Sequence, residues 1–307
     1  MNQSQEKQDG ENYVTRTICV RMKEMLGEEY AAFYASYDLP KYQALRINPL
    51  KTERDTFFAA GTVFLNRVPW TTNGYYYSGN DQPGRHPYHE AGVYYIQEPS
   101  AMAPAEYLMA EPGERILDLC AAPGGKSTQI ACSMQGEGLI VCNEIHPARA
   151  KILSENIERM GVCNALVTNE TPQKLSDNFR EYFDRILVDA PCSGEGMFRK
   201  NDAEREWSIE HVRSCAARQL LILNSAKDAL KNGGYMVYST CTFSKEENEG
   251  VISRFLTENP DFELVDSGVT FGRPTLDYAR RIFPMDGGEG HFAAKLHKKG
   301  RAVFIII

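Results

Sequence analysis

A chain of 307 residues, 42% hydrophobic and 24% charged, has room for one large domain or two ordinary ones, each with a full core. Its net charge of −7, from 34 basic and 41 acidic residues, argues against a protein that binds nucleic acid through bulk positive charge, though not against a local basic cleft. No apolar run approaches the length of a membrane helix, and the eight cysteines stand singly at 19, 120, 132, 142, 163, 192, 215 and 241, a pattern that fits neither a zinc site nor a disulfide scaffold but suits a reducing cytoplasm.

In chain order, residues 1–12 are polar, unlike a signal peptide, and predict a flexible N-terminus. Ile18, Met22, Met25, Leu26, Ala32 and Phe33 give residues 13–36 a helical period. Short β-type runs at 44–47, 63–65, 74–77 and 93–96 then alternate with Pro, Gly and Asn turns, so 13–98 reads as a small tyrosine-rich α+β unit. From residue 99 onward, apolar strands at 115–119, 139–143, 164–168, 184–188 and 234–239 alternate with helical segments at 126–134, 147–160, 205–231 and 245–258. That rhythm predicts an α/β domain over 99–307 with a parallel sheet and right-handed crossovers. Two more strands, at 280–283 and 302–307 with a loop at 284–290 between them, would close it.

Two strands end in small-residue loops that carry a cysteine: Asp189-Ala190-Pro191-Cys192-Ser193-Gly194-Glu195-Gly196 and Ser239-Thr240-Cys241-Thr242. Loops at the carboxyl ends of parallel strands share one rim, where ligands bind, so both thiols can face one cleft. A third such loop, Cys120-Ala121-Ala122-Pro123-Gly124-Gly125-Lys126-Ser127, follows the first strand and allows close backbone approach to a ligand. Two ligands compete for it. A nucleotide phosphate is suggested by Gly125-Lys126-Ser127 and by the Walker B-like Ile186-Leu187-Val188-Asp189, but Cys120 stands where a Walker loop needs glycine and Pro123 removes an N–H. A nucleoside is suggested by Glu144 at the end of the second strand, where an acid suits ribose hydroxyls; the plainer role for Glu144 is a carboxylate at the start of the helix that Pro147 opens.

Together with Asp118-Leu119-Cys120-Ala121-Ala122-Pro123-Gly124-Gly125-Lys126, these motifs resemble those of the Nol/Nop/Sun-class RNA cytosine-carbon-5 methyltransferases, over most of the chain from Leu45-Arg46-Ile47-Asn48-Pro49-Leu50-Lys51 onward. Tyr95-Ile96-Gln97-Glu98-Pro99-Ser100-Ala101-Met102, Arg281-Ile282-Phe283-Pro284 and Gly288-Glu289-Gly290-His291-Phe292 resemble the bacterial RsmF-type branch, which acts on 16S ribosomal RNA. The resemblance implies a Rossmann-like methyltransferase domain with a mainly parallel seven-stranded sheet, S-adenosyl-L-methionine as cofactor, and RNA as substrate. It implies Cys241 as the nucleophile that adds to cytosine carbon 6, Cys192 as the thiol linked to product release, and Asp189 as a partner of the base edge, for which a raised pKa would help. The opposite assignment of the two thiols is the mechanistic alternative. Candidate cofactor contacts are Ala121, Ala122, Pro123, Gly124, Gly125, Lys126, Ser127, Glu144, Arg149, Thr171 and Asp189, with Thr171 at a place where many relatives carry aspartate and Asn169 or Glu170 as substitutes. Relatives of this branch usually continue into a C-terminal PUA-like RNA-binding region, so a fragment or a short form is expected here.

The other five cysteines downstream of residue 100 read as inert, the commonest fate of a free thiol. Candidate RNA contacts are Arg46, Asn48 and Lys51, Pro191 beside Cys192, Arg199 and Lys200, and the basic end at Lys295, Lys298, Lys299 and Arg301; Tyr75, Tyr76 and Tyr77 can stack on bases or pack against the first helices. His86 and His89 have a metal-like spacing but no third ligand nearby, so no metal is expected. Transfer RNA is the alternative substrate, a non-catalytic RNA-binding or ribosome-assembly protein is the alternative class, and the oligomeric state is open.

Overall fold

The computed structural model describes residues 16–59, 66–199 and 207–300. Residues 16–26 are helical (α1), followed after a short 3-10 turn by α2 (Tyr30–Ser36). Their apolar face does not cover the small sheet. Ile18, Met22 and Phe33 instead join Trp207, Val212, Phe243 and Phe283 in one buried cluster, with Phe33 edge-on to Phe243 at 5.7 Å. The first helices are thereby fastened beneath a loop of the large domain.

The small unit contains β1 (Ala44–Ile47), α3 (Arg54–Ala59), β2 (Gly74–Tyr76), α4 (Pro87–Glu90) and β3 (Tyr94–Ile96), in an antiparallel sheet ordered β2-β1-β3. All four residues of β1 are buried, because one face packs on Phe57, Tyr75 and Tyr94 and the other meets the large domain. The strand expected at 63–65 lies outside the described residues.

α5 (Ala103–Leu108) leads into the large domain, where β4 (Arg115–Asp118), α6 (Gly125–Met134), β5 (Leu139–Asn143), α7 (Pro147–Met160), β6 (Ala165–Thr168), α8 (Pro172–Asn178), β7 (Phe183–Asp189), α9 (Ile209–Ala229), β8 (Leu230–Thr240) and α10 (Glu249–Glu258) alternate. Four further strands follow: β9 (Phe262–Leu264), β10 (Arg273–Pro274), β11 (Arg280–Ile282) and β12 (His291–Lys298). The sheet among the described residues has nine strands in the order β10-β11-β12-β8-β7-β4-β5-β6, with β9 also paired to β12. β8, β7, β4, β5 and β6 run parallel, and the rest are antiparallel.

The sheet thus exceeds the seven strands expected, by the short β9 and β10. The strand placed at 302–307 lies outside the described residues, whereas β12 begins directly after Gly290. Its Lys295, His297 and Lys298 masked a segment that is almost wholly buried between β8 and β11. α8 carries little periodic signal in the sequence, being a seven-residue helix opened by Pro172 and capped by the Thr171 hydroxyl. Strand order reverses between β4 and its neighbours β5 and β7, which places the loops after β4, β5, β7 and β8 around one crevice at their carboxyl ends.

Candidate active site

The crevice is a cleft of about 630 Å³, lined among the described residues from β4 through β8 and closed on one side by α9. That is ample for a nucleoside-sized ligand. Of the residues singled out in the sequence, Ala122, Glu144, Arg149, Thr171, Asp189, Pro191, Cys192 and Cys241 line it. Ala121, Gly124, Gly125 and Ser127 are buried behind its wall, Pro123 lies on the outer surface, and Lys126 reaches the site through Asp189.

The wall after β4 is built by the backbone. The N–H of Ala121 donates to the Asn143 carbonyl (2.8 Å), and that of Gly124 to Ala121 (2.8 Å). Gly124 has φ 111°, a region that favours glycine, and a Cβ there would lie 3.2 Å from Leu153. Ser127 donates to the Asp118 carboxylate at 2.6 Å, and burial pushes that carboxyl up to about 7. Glu144 accepts the N–H of His146 (3.0 Å) and meets Arg149 at 3.2 Å, while Arg149 also donates to the Ala122 carbonyl (2.8 Å). Glu144 therefore both starts the helix and lines the cleft.

Of the three candidates after β6, Asn169 donates to the Glu144 carbonyl and Glu170 pairs with Lys174; only Thr171 lines the cleft. Sequence reasoning missed Asn143, whose side chain donates to Leu119 and Glu170 carbonyls and accepts from Thr168, bracing three loops. It also missed Ile145 and, on α9, Arg218, Leu221 and Ile222. The available signal was Leu221, a large apolar residue on the otherwise polar side of its helix, 69% exposed.

At the other end of the cleft the Cys192 and Cys241 sulfurs are 3.4 Å apart. The hydrogen bond to Cys241, together with burial, pushes the Cys192 thiol well above its ordinary range. Asp189, at the end of β7, accepts from Lys126 Nζ (2.7 Å) and Ser239 Oγ (2.7 Å), with His291 Nε2 3.3 Å away. Burial alone would raise its pKa, but the Lys126 ammonium and the His291 imidazole outweigh it and hold the carboxyl well below the usual range. The raised pKa that would help a partner of the base edge is therefore not what the site provides: Asp189 is held as a carboxylate, and a cation beside it decides the sign. Lys126 is spent on this pair, and Glu144 puts an acid in the cleft, so the phosphate reading of the glycine loop has neither its lysine nor a suitable charge.

Two of the three candidate RNA contacts of the small unit are also corrected. Arg46 is 2% exposed, donating to Thr128 Oγ1 (2.8 Å), the Gly125 carbonyl (3.2 Å) and Gln97 (3.2 Å). Asn48 is fully buried and donates to the Gly92 and Met160 carbonyls, both at 2.8 Å. Donors already satisfied inside the protein have nothing to offer a phosphate; these two fasten the small sheet to α6 and α7. Lys51 stays at the surface, its ammonium on the Ala91 and Arg159 carbonyls.

Arg199 is buried against Glu289 and the Leu39 carbonyl, and Lys298 donates to the Lys227 and Leu230 carbonyls. Lys295 lies 5.0 Å above the Tyr235 ring, while Lys200 and Arg301 fall outside the described residues. Tyr75 is buried against Phe58, and the Tyr76 hydroxyl donates to Gly287. His86 caps α4, and among the described residues no group of three or more His, Cys, Asp or Glu is placed to hold a metal. Cys142 and Cys215 are buried, Cys132 touches Arg46 and Asn48, Cys163 is exposed, and Cys120 lies on the cleft wall with burial raising its thiol.

Comparison with known proteins decides the lineage of this site. The profile of the 16S rRNA methyltransferase RsmB/F family matches residues 105–297. The chain belongs to that family. The N-terminal domain of 16S rRNA methyltransferase RsmF matches residues 15–99. Proteins named ribosomal RNA small subunit methyltransferase F from Erwinia tasmaniensis and Vibrio vulnificus are 37% and 38% identical to it, over 91% and 93% of this chain. The chain spans only 62% and 64% of the length of those two relatives. A methyltransferase homolog protein from Pyrococcus horikoshii is 29% identical with a TM-score of 0.82, covering 97% of this chain and all of that one. NSun6 from the same organism, solved with SFG, has a TM-score of 0.80 at 23% identity over 91% of this chain and 97% of that one, a likeness of fold.

Proposed function

We propose that the protein methylates carbon 5 of a cytosine in 16S ribosomal RNA. The observation that carries this reading is the pair of sulfurs 3.4 Å apart at the end of a nucleoside-sized cleft, beside an ionised aspartate. The cofactor is S-adenosyl-L-methionine, which supplies an electrophilic methyl group when bound. The cleft suits it. Glu144, with a side chain only 3% exposed, offers acceptor oxygens, Arg149 ties that acid to the loop, and the apolar Ile145, Leu221 and Ile222 offer surface for a flat ring.

Carbon 5 of cytosine is a weak nucleophile. Cys241, as a thiolate, adds to carbon 6, the sulfur–carbon bond forms, and the electron pair of the former double bond makes carbon 5 reactive. Cys192, whose thiol the hydrogen bond to Cys241 and burial push well above its ordinary range, remains protonated at this stage and can donate to the Cys241 sulfur. After alkylation the proton on carbon 5 passes to water in the open cleft, the C–H electron pair reforms the double bond, and the Cys241 sulfur departs with the pair of the broken sulfur–carbon bond; the Cys192 thiol is within reach to donate to that sulfur as it leaves. Asp189 acts as an acceptor toward the amino edge of the base, kept ionised by Lys126. The cytosine must be single-stranded or flipped to enter.

The test supplies methyl-tritiated cofactor and 16S ribosomal RNA, with bisulfite sequencing of the product. Label in that RNA together with a new bisulfite-resistant cytosine supports the reading. Label on transfer RNA alone moves the substrate, and RNA binding without label on any RNA leaves the non-catalytic alternative.

A further inference from the structure

The two cysteine loops are tied by a pair of buried acids. Glu195 follows Cys192 by three residues, yet its Oε2 accepts the backbone N–H of Phe243, just past Cys241 (3.0 Å), and its Oε1 the indole N–H of Trp207 (3.0 Å). Glu247 follows Cys241, yet its Oε2 accepts the backbone N–H of Ser193, next to Cys192 (2.9 Å), and the Gln219 amide (2.8 Å), while Oε1 accepts from the Ser193 hydroxyl. Each loop thus lends a carboxylate to the other's backbone. Glu195 is 1% exposed and Glu247 fully buried. Ser193 Oγ to Thr242 Oγ1 (2.9 Å) and Gly196 N–H to the Cys241 carbonyl (2.9 Å) complete the seam. Neither carboxylate lines the cleft.

We propose that Glu195 and Glu247 are positioning residues, a reciprocal clamp that sets the spacing of the Cys192 and Cys241 sulfurs. The inference rests on the catalytic reading above for its effect on turnover, but the clamp itself is a statement about geometry. Burying two acids is costly, and each is matched by N–H donors that would otherwise be orphaned in the interior. A displacement of about 1 Å at reacting atoms can cost about a hundredfold in rate, so a seam that joins the two loops matters to paired thiols.

The two acids differ in a way that makes the clamp testable. Each oxygen of Glu195 faces an N–H that can only donate, so Glu195→Gln must turn an amide N–H against one of them. The Ser193 hydroxyl opposite Glu247 Oε1 can reverse and accept, so Glu247→Gln can keep the whole network, whereas Glu247→Ala cannot.

The readout independent of catalysis is the rate at which diamide joins Cys192 to Cys241 in the full chain. The two thiols give up two protons and two electrons to the diazene, which becomes the hydrazine, and peptide mass spectrometry reports this particular pair among the eight cysteines. Glu247→Ala and Glu195→Gln should slow that coupling by about tenfold or more and lower kcat by about a hundredfold. Cofactor affinity by calorimetry and KM for RNA should stay within about twofold, and Glu247→Gln should restore both rates to within about fivefold of wild type.

Wild-type coupling rates in both Glu247→Ala and Glu195→Gln would overturn the clamp. If Glu247→Ala does not fold, Glu195→Gln against Glu247→Gln decides alone, and equal rates overturn it. A wild-type protein that transfers no methyl group, while its coupling rate still depends on these acids, overturns the proposed function and leaves the clamp standing.

Discussion

At the Glu144 end of the cleft Ile145 is 49% and Leu221 69% exposed, while behind the thiols Ser193, Glu195, Thr242 and Glu247 are between 6% and fully buried. The first is a wall braced by backbone hydrogen bonds that leaves apolar surface open; behind the second lies a dense seam of satisfied polar side chains. A cofactor that enters and leaves on every turnover needs accessible apolar area and a few fixed acceptors. In the proposed mechanism two sulfurs act on one base, which calls for a fixed separation, and buried hydrogen bonds hold loops firmly because breaking any one leaves an unpaired group.

The contrast can be broken hardest at the thiols. Cys241→Ala should reduce methyl transfer by at least about a thousandfold, because covalent addition is lost, while calorimetric cofactor affinity stays within about twofold. Cys192→Ala should instead accumulate a covalent protein–RNA adduct, seen as a slow band on a denaturing gel. If Cys241→Ala accumulates that band, the thiol roles are exchanged.

A smaller effect is expected on the open wall. Glu144→Ala should weaken cofactor binding about tenfold, the loss of one charge-assisted hydrogen bond, with the diamide coupling rate of the thiols unchanged. Coupling that falls with it would mean the two walls are not independent.

The smallest effect sharpens the point about where charge is spent. Burial pushes the Lys295 ammonium down to about 8, with Arg185 adding to the fall and Glu114 and Glu111 opposing it. A folded-state pKa below the ordinary 10.5 means the unfolded chain holds a proton the folded one has released between about 8 and 10.5. Stability from this group therefore rises with pH through that window. Lys295→Met should remove the rise and lift the melting temperature at neutral pH by about 1–3 °C, with RNA affinity unchanged. A Lys295→Met protein that binds RNA less tightly would return this lysine to the binding surface.

What the sequence determined by itself was local. Alternating apolar runs and helical periods placed β4 through β8 and α6, α7, α9 and α10 to within a few residues, because period and turn chemistry are properties of neighbouring residues. The cysteines at two strand ends were visible for the same reason. Tertiary structure alone decided the rest. β12 reads as polar until two neighbouring strands bury it, and Arg46 and Asn48 look like surface cations and amides until α6 and α7 supply their acceptors. The charge of Asp189 depends on Lys126, brought to it from the start of another helix, and the spacing of the thiols on acids that each belong to the opposite loop. Hydrogen bonds and pKa values are set by atoms a few ångströms away in space, and nothing in the order of residues along the chain reports that distance.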